Sequence, residues 1–185
     1  MTIDEINITD ANENNLETCL NCLKDWDKDF RSQDKNSWYR KYHSKGLKIK
    51  LASILDNKLA GMIQYIPIEY SIASGENMNF IQCIWVHGYN EGIGNRQNQG
   101  LGKKLLEAAE KDTLNSKLDA LVAWGMDFDW LPASWFIKQG LLNKDFSKLT
   151  KMDIKYYYGK NIITKKLYNL ILLKEKKFHK QAQAD

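Results

Sequence analysis

The chain switches repeatedly between a two-residue and a 3.6-residue hydrophobic period, and the switches divide it into elements. Residues 3–9 alternate apolar and polar and predict a short first strand, with Thr9 or Asp10 placed to cap the next element. Residues 15–30 carry Leu16, Leu20, Leu23 and Phe30 near one helical stripe, and residues 34–43 predict a shorter helix ended by Gly46. Over 47–55, Leu47, Ile49, Leu51, Ser53 and Leu55 share one strand face. Asp56-Asn57 then supplies a turn and 59–68 a return strand, which makes a hairpin. Residues 78–87 are densely apolar, as in a central strand covered on both faces. After a loop over 88–98, Leu101, Leu105, Ala108 and Ala109 mark one face of a helix that ends near 114–116. Residues 118–124 form another strand of the buried type, and a strand–helix–strand series of this length implies parallel pairing with a right-handed crossover. Pro132 suits a first helical turn, 133–139 a short helix, and Gly140 its close. Residues 146–158 predict one or two final strands. Residues 161–178 read either as a strand remnant or as a basic surface helix.

The stretch that draws chemical notice is 95–111. Gly100 and Gly102 stand at a helix start, where glycine costs roughly 1 kcal/mol against alanine in a helix interior. Two such residues suggest close approach to the backbone. Free N–H groups, the positive end of the helix dipole, Arg96, Lys103 and Lys104 together suit an anion such as phosphate. An ordinary helix with two tolerated glycines is the alternative. Two rival glycine motifs fail: Gln97 and Lys104 exclude a Walker A loop, and Gln97 and Leu105 exclude a dinucleotide fingerprint.

Composition narrows the picture only a little. The 185 residues suffice for one cored domain, with 43 % hydrophobic and 27 % charged residues. A net charge of +4 fits an anionic ligand but is too small to argue for nucleic acid. Much of the excess lies near the end, from Lys165 to Lys180, where a solvated face is the simpler expectation. No apolar run approaches the ~18 residues of a membrane span. Three cysteines and an acidic N-terminus without an apolar signal core point to the cytoplasm. Cys19 and Cys22 form a C-x-x-C without a second pair or a suitably spaced His, so core thiols are expected rather than a metal or redox site.

The order of elements, with Gln97-Asn98-Gln99-Gly100-Leu101-Gly102 at the central helix and Ala133-Ser134-Trp135-Phe136-Ile137-Lys138-Gln139-Gly140-Leu141 further on, resembles the GNAT superfamily of N-acetyltransferases. The first segment is similar to the family's Gln/Arg-x-x-Gly-x-Gly/Ala signature, and the second to its small-residue, aromatic, Lys-x-Gly segment. The resemblance implies an α/β fold with a mixed central sheet of about six to seven strands flanked by about four helices. It covers residues 1–158 as one domain, leaving 159–185 as a basic C-terminal extension of uncertain structure.

The resemblance also implies transfer of an acetyl group from acetyl-CoA to a primary amine, on a small molecule or a peptide, by direct attack. No metal, nucleic acid or membrane partner is implied, and a homodimer stays open. Trp85 and Val86 would line the thioester strand. Arg96, Gln97, Gln99, Gly100, Leu101, Gly102 and Lys103 would hold the CoA pyrophosphate, with Ser134 and Trp135 beside them. His87, at the end of that strand, is the first candidate for proton transfer, followed by Tyr89 and Asp127. Each of the three also has a plain structural role available, as do Asp129, Glu69 and Glu76. Cys83 is expected to be buried, and Trp124, Trp130 and Trp135 to be core or cleft wall.

Two departures from the family pattern stand out. Phe136 occupies the position where many members carry a Tyr that can protonate the leaving thiolate. The connection 87–95 is longer than usual, which suits a lid or a substrate contact. A non-catalytic acyl-CoA sensor or interaction module on the same fold is therefore the rival expectation.

Overall fold

The computed structural model describes residues 6–12, 15, 32–54, 57–73, 75–90, 92–125, 131–144 and 170–175. They form β1 (Asn7–Asp10), α1 (Ser32–His43), β2 (Lys48–Ile54), β3 (Lys58–Pro67), a 3-10 turn (Ile68–Tyr70), β4 (Met78–Val86), α2 (Leu101–Asn115), β5 (Ala120–Gly125), α3 (Ala133–Lys138), β6 (Leu142–Lys144) and β7 (Leu170–Glu175). The strands make one mixed seven-stranded sheet in the order β1-β2-β3-β4-β5-β7-β6. Three α-helices are present among the described residues, against about four expected from sequence. The helix expected over 15–30, with Cys19 and Cys22, lies almost wholly outside the described residues, as do the strands expected over 146–158. In the stretch left between strand and helix, 170–175 is a strand, and it enters the sheet between β5 and β6.

The hairpin β2–β3 forms where the alternation predicted it, with Asn57 at φ 56° in the turn. β4 pairs with β3 antiparallel and with β5 parallel, as a crossover through α2 requires. Each of β3 and β4 carries one extra residue in its ladder. Ser53 faces Leu59 after Ala52 faces Gly61, which leaves Ala60 over. Gln64 faces Cys83 and Tyr65 faces Ile81, which leaves Gln82 over. Such bulges bend the strand and re-aim its side chains.

The two faces of the sheet are packed differently. On one face Ile63, Tyr65, Ile81, Leu121 and Ala123 meet Leu101, Leu105, Leu106 and Ala109 of α2 and Ala133 and Phe136 of α3. Leu105 and Ala109 are fully buried as the period predicted. Leu106 and Thr113 are buried too, whereas Ala108 is only half-buried, so the stripe is rotated from the predicted one. On the other face Ile49, Leu51 and Met62 pack with Tyr39 of α1 and Cys83, and Ile68, Phe80 and Val122 pack with Trp124. Cys83 is half-buried, against the expectation of full burial.

One ionic cluster ties α2 to the sheet. The Tyr65 hydroxyl donates to Asp112 Oδ2 at 2.5 Å, and Lys50 and Lys48 reach the same oxygen at 3.1 and 3.2 Å. Lys50 also meets Asp10 at 2.7 Å. Burial pushes the Tyr65 phenol well above its usual range, and the Asp112 carboxylate adds to the rise. Burial alone would raise the Asp112 pKa; the bonds from Tyr65, Lys50 and Lys48 outweigh it and hold the group below its ordinary value. Burial would likewise lower Lys50, but its bonds to Asp10 and Asp112 keep it raised.

Candidate functional site: a fork between two parallel strands

β4 and β5 pair only at their beginnings. The rungs run from Met78 opposite Ala120 to Ile81 opposite Ala123, and there the parallel ladder stops. β5 continues beside β7, with Trp124 opposite Ile171 and Gly125 opposite Leu170. β4 continues beside β3, with Cys83 to Val86 opposite Gln64 to Gly61. The bulge at Gln82 falls where the two strands part. A fork results, with one strand as each wall. Backbone amides on the open side of β4 can pair there with an extended ligand, as they would with a strand.

The mouth of the fork is built from glycine. Gly100 is the N-cap of α2 at φ 86°, a left-handed conformation that side-chain-bearing residues adopt at a cost of roughly 1–2 kcal/mol. No side chain caps the helix and its first turn holds no acidic residue. The first backbone N–H bonded back is that of Lys104, to Gly100 O at 3.0 Å. The N–H groups just before it are therefore available to an anion. A Cβ on Gly100 would meet nothing within 4 Å, so the space above the turn is open.

Gly102 differs: its Cβ would stand 3.2 Å from Trp135 Cζ2 and 3.7 Å from Val86 Cγ2. Val86, Gly102 and Trp135 thus meet at one point, joining β4, α2 and α3. Lys103 and Lys104 are exposed, and Lys103 lies 3.8 Å from Glu107. Ser134 is exposed on the first turn of α3.

The long connection is a pinned loop rather than a loose one. Arg96 N donates to His87 O at 2.8 Å and closes its neck, while Arg96 Nε donates to Ile93 O at 2.8 Å. Ile93 packs against the core that holds α2. Asn95 organises the turn before α2: its side-chain oxygen accepts from Gln97 N at 2.9 Å, and its carbonyl from Gln99 Nε2 at 3.1 Å. The Gln97 amide covers Gly88, where a Cβ would lie 2.5 Å from its nitrogen. Gln97 and Gln99 therefore shape the turn through their side chains.

On the side of β4 away from α2, alternate residues form an aromatic row. Trp85 meets His87 edge-on at 5.6 Å between ring centres, and His87 meets Tyr89 in the same way at 5.7 Å. His87 N donates to Ala60 O at 2.8 Å, carrying the β3–β4 ladder one residue past the strand. Trp85 and His87 are half-buried and Tyr89 is exposed. Of the sequence candidates, His87 and Tyr89 are brought together; Asp127, Asp129 and Trp130 lie outside the described residues. Glu69 accepts from Asn77 N at 3.0 Å, which gives it a loop-holding role, and Glu76 is exposed. Phe136 is fully buried in the core against Trp135, so this position offers the fork neither a hydroxyl nor a surface.

Two features had no clear signal in the chain. Gln82 interrupts an apolar run, but nothing in the run marks it as bulged. Trp124 was expected only as core or wall. The side-chain oxygen of Gln82 and the indole N–H of Trp124 are both sealed from solvent, and neither has a hydrogen-bond partner among the described residues.

The chain has the fold of the GNAT-family acetyltransferases. A GNAT-family acetyltransferase from Staphylococcus aureus Mu50 superposes with a TM-score of 0.59 at 18 % identity, over 92 % of this chain and 99 % of that one. A GNAT-family acetyltransferase from Elizabethkingia anophelis with acetyl-CoA bound gives 0.57 at 20 %, over 93 % and 99 %. The PaiA N-acetyltransferase of Thermoplasma acidophilum, in complex with coenzyme A, gives 0.56 at 16 %, over 93 % and 99 %. No protein-family model matches the sequence, and no curated protein matches it. Among the described residues no helix is long and apolar enough to cross a membrane.

Proposed function

We propose that this protein is an N-acetyltransferase that moves the acetyl group of acetyl-CoA to a primary amine. The observation that carries the reading is the fork of β4 and β5 opening onto the uncapped, glycine-led start of α2. A narrow slot between two strands suits the extended amide arm of CoA, and the free N–H groups at its mouth suit a pyrophosphate. Acetyl-CoA or CoA bound in structures of the same fold supports the same ligand class.

In this reading the amine nitrogen attacks the thioester carbon, a C–N bond forms, and the carbonyl electrons move onto oxygen. Collapse breaks the C–S bond and releases CoA thiolate. The nitrogen loses a proton and the thiolate gains one. Backbone N–H groups on the open side of β4, beyond the bulge at Gln82, face the developing oxyanion, where fixed donors act without reorganisation. His87, between Trp85 and Tyr89, stands on the face away from the pyrophosphate cradle and is the base that relieves the amine of its proton through water. With Phe136 buried, the thiolate draws its proton from Tyr89 or solvent.

The test is calorimetry with CoA and acetyl-CoA on the wild type and on Gly100→Glu, which puts a carboxylate into the open space over the turn. Saturable binding that the variant loses, together with acetyl transfer to a member of an amine panel, is the expected result. A wild type that binds neither ligand sinks the reading. Binding without transfer to any amine would instead favour an acyl-CoA sensor, the reading to which the buried Phe136 lends some support.

A further inference from the structure

We infer that Gln82 and Trp124 form a side-chain pair that grips the reacting atoms at the closed end of the fork, the amide oxygen of Gln82 taking an N–H of the attacking amine and the indole N–H of Trp124 donating to the thioester carbonyl oxygen. The inference rests on the acetyl-transfer reading and deepens it.

The two residues occupy the next position on each strand after the last shared rung, Ile81 opposite Ala123. They therefore flank the point where the two strands part, at the inner end of the fork. Gln82 is the residue left over by the bulge in β4. Trp124 remains held by its pairing with Ile171 and by packing on Phe80, Val122 and Ile68, so its indole is fixed from behind. That cluster lies on the face opposite α2, whereas the pyrophosphate cradle is built on α2 itself. An acceptor amine arriving opposite the CoA diphosphate therefore meets the Trp124 side.

One buried acceptor and one buried donor left without partners each forfeit their bonds to water with nothing in return. Native interiors rarely tolerate this unless a ligand or water completes the bonds. The pair is complementary to what the reaction presents. The thioester oxygen only accepts, and gains negative charge as the tetrahedral intermediate forms. The amine nitrogen keeps an N–H throughout the attack. A donor fixed on one strand and an acceptor fixed on the other match these two atoms in kind. Atoms balance as in the reaction above: both residues hold atoms in place, and neither gives up nor keeps a proton.

The experiment compares wild type, Trp124→Phe and Gln82→Leu, with circular dichroism to confirm folding. Affinities for CoA and acetyl-CoA are measured by calorimetry, the carbonyl stretch of bound acetyl-CoA by difference infrared, and aminolysis of bound acetyl-CoA with propylamine. Trp124→Phe is expected to keep CoA affinity within about twofold, to lose any preference for acetyl-CoA over CoA, and to shift the carbonyl stretch toward its free frequency. Its rate should fall roughly 100-fold, the scale for one oxyanion donor. Gln82→Leu should leave the stretch and both affinities unchanged and lower the aminolysis rate about tenfold or more. Unchanged stretch in Trp124→Phe, or unchanged aminolysis in Gln82→Leu, overturns the pair while CoA binding by the wild type keeps the acetyl-transfer reading standing. Loss of CoA affinity in both variants assigns them to the amide arm of CoA and overturns the pair as well. A wild type that binds no CoA removes both.

Discussion

Gly102 of α2 and Trp135 of α3 are packed so closely that a single added carbon on Gly102 would stand 3.2 Å from the indole. Two stretches of chain far apart in sequence are thereby locked at the mouth of the fork. Gly102→Leu must displace Trp135 and disturb Val86 as well. Overpacking of this kind costs about 1–3 kcal/mol. A lower urea midpoint together with weaker CoA binding is expected. Unchanged values in both measurements would mean that Trp135 moves freely and does not brace the turn.

Gly100 makes the contrasting prediction. Its Cβ direction is empty, so the cost of Gly100→Ala is conformational, roughly 1–2 kcal/mol from the positive φ. Gly100→Glu should lower the urea midpoint by a similar amount, yet abolish CoA binding, which Gly100→Ala only weakens. Equal CoA affinity for the two variants would place the pyrophosphate elsewhere.

His87→Gln should lower acetyl transfer at saturating acceptor by about 100-fold, the scale of general-base catalysis, with CoA affinity held within about twofold. Tyr89→Phe separates the proton source from the ring stack: it keeps the edge-on contact with His87 and removes only the hydroxyl. A rate unaffected by His87→Gln across pH would leave the histidine a packing role between Trp85 and Tyr89.

Asp112 sets the response of stability to acid. Its folded pKa lies below the ordinary value, so its contribution is present in full above the unfolded pKa and is lost as pH falls through the depressed folded value. At neutral pH Asp112→Asn should be destabilised, since Lys50 loses a half-buried partner and Tyr65 a charged acceptor. Partial exposure of the groups keeps the loss to about 1–2 kcal/mol. Urea midpoints should converge between wild type and variant as pH falls below the ordinary aspartate range and through the depressed folded value. A gap that persists there would assign the loss to packing. For Lys50 the sign reverses: its pKa is raised, so its share is kept below the unfolded value and lost in strong base.

The elements with a strong period were legible in the chain. β2, β3, β4, α2 and β5 lie within a few residues of where alternation placed them, because one-sided burial imposes a period that local sequence must carry. The glycine positions were legible too, since a left-handed cap leaves few residues to choose from. Of the residues placed on the buried stripe of α2, Leu101, Leu105 and Ala109 are buried, whereas Ala108 is only half-covered and Leu106 lies inside in its place. Two neighbouring apolar positions fit a 3.6-residue period almost equally, and the packing of α2 against β3 and β4 chose between them.

Sequence alone determined the run of strands and helices, the parallel crossover between β4 and β5, and a glycine-led helix start suited to an anion. Tertiary structure decided the rest. The parting of β4 and β5 after Ile81 and Ala123 comes from a bulge at Gln82 and from β7 holding the far edge of β5. Neither leaves a periodic trace, because a bulge is one residue without a partner, and strand order is set by contacts between distant segments. The burial of Phe136, the bond that closes the neck of the loop between His87 and Arg96, and the placing of Gln82 and Trp124 just past the last rung shared by β4 and β5 have the same origin. Each depends on which surfaces meet when the sheet assembles, a long-range property that no local window of residues contains.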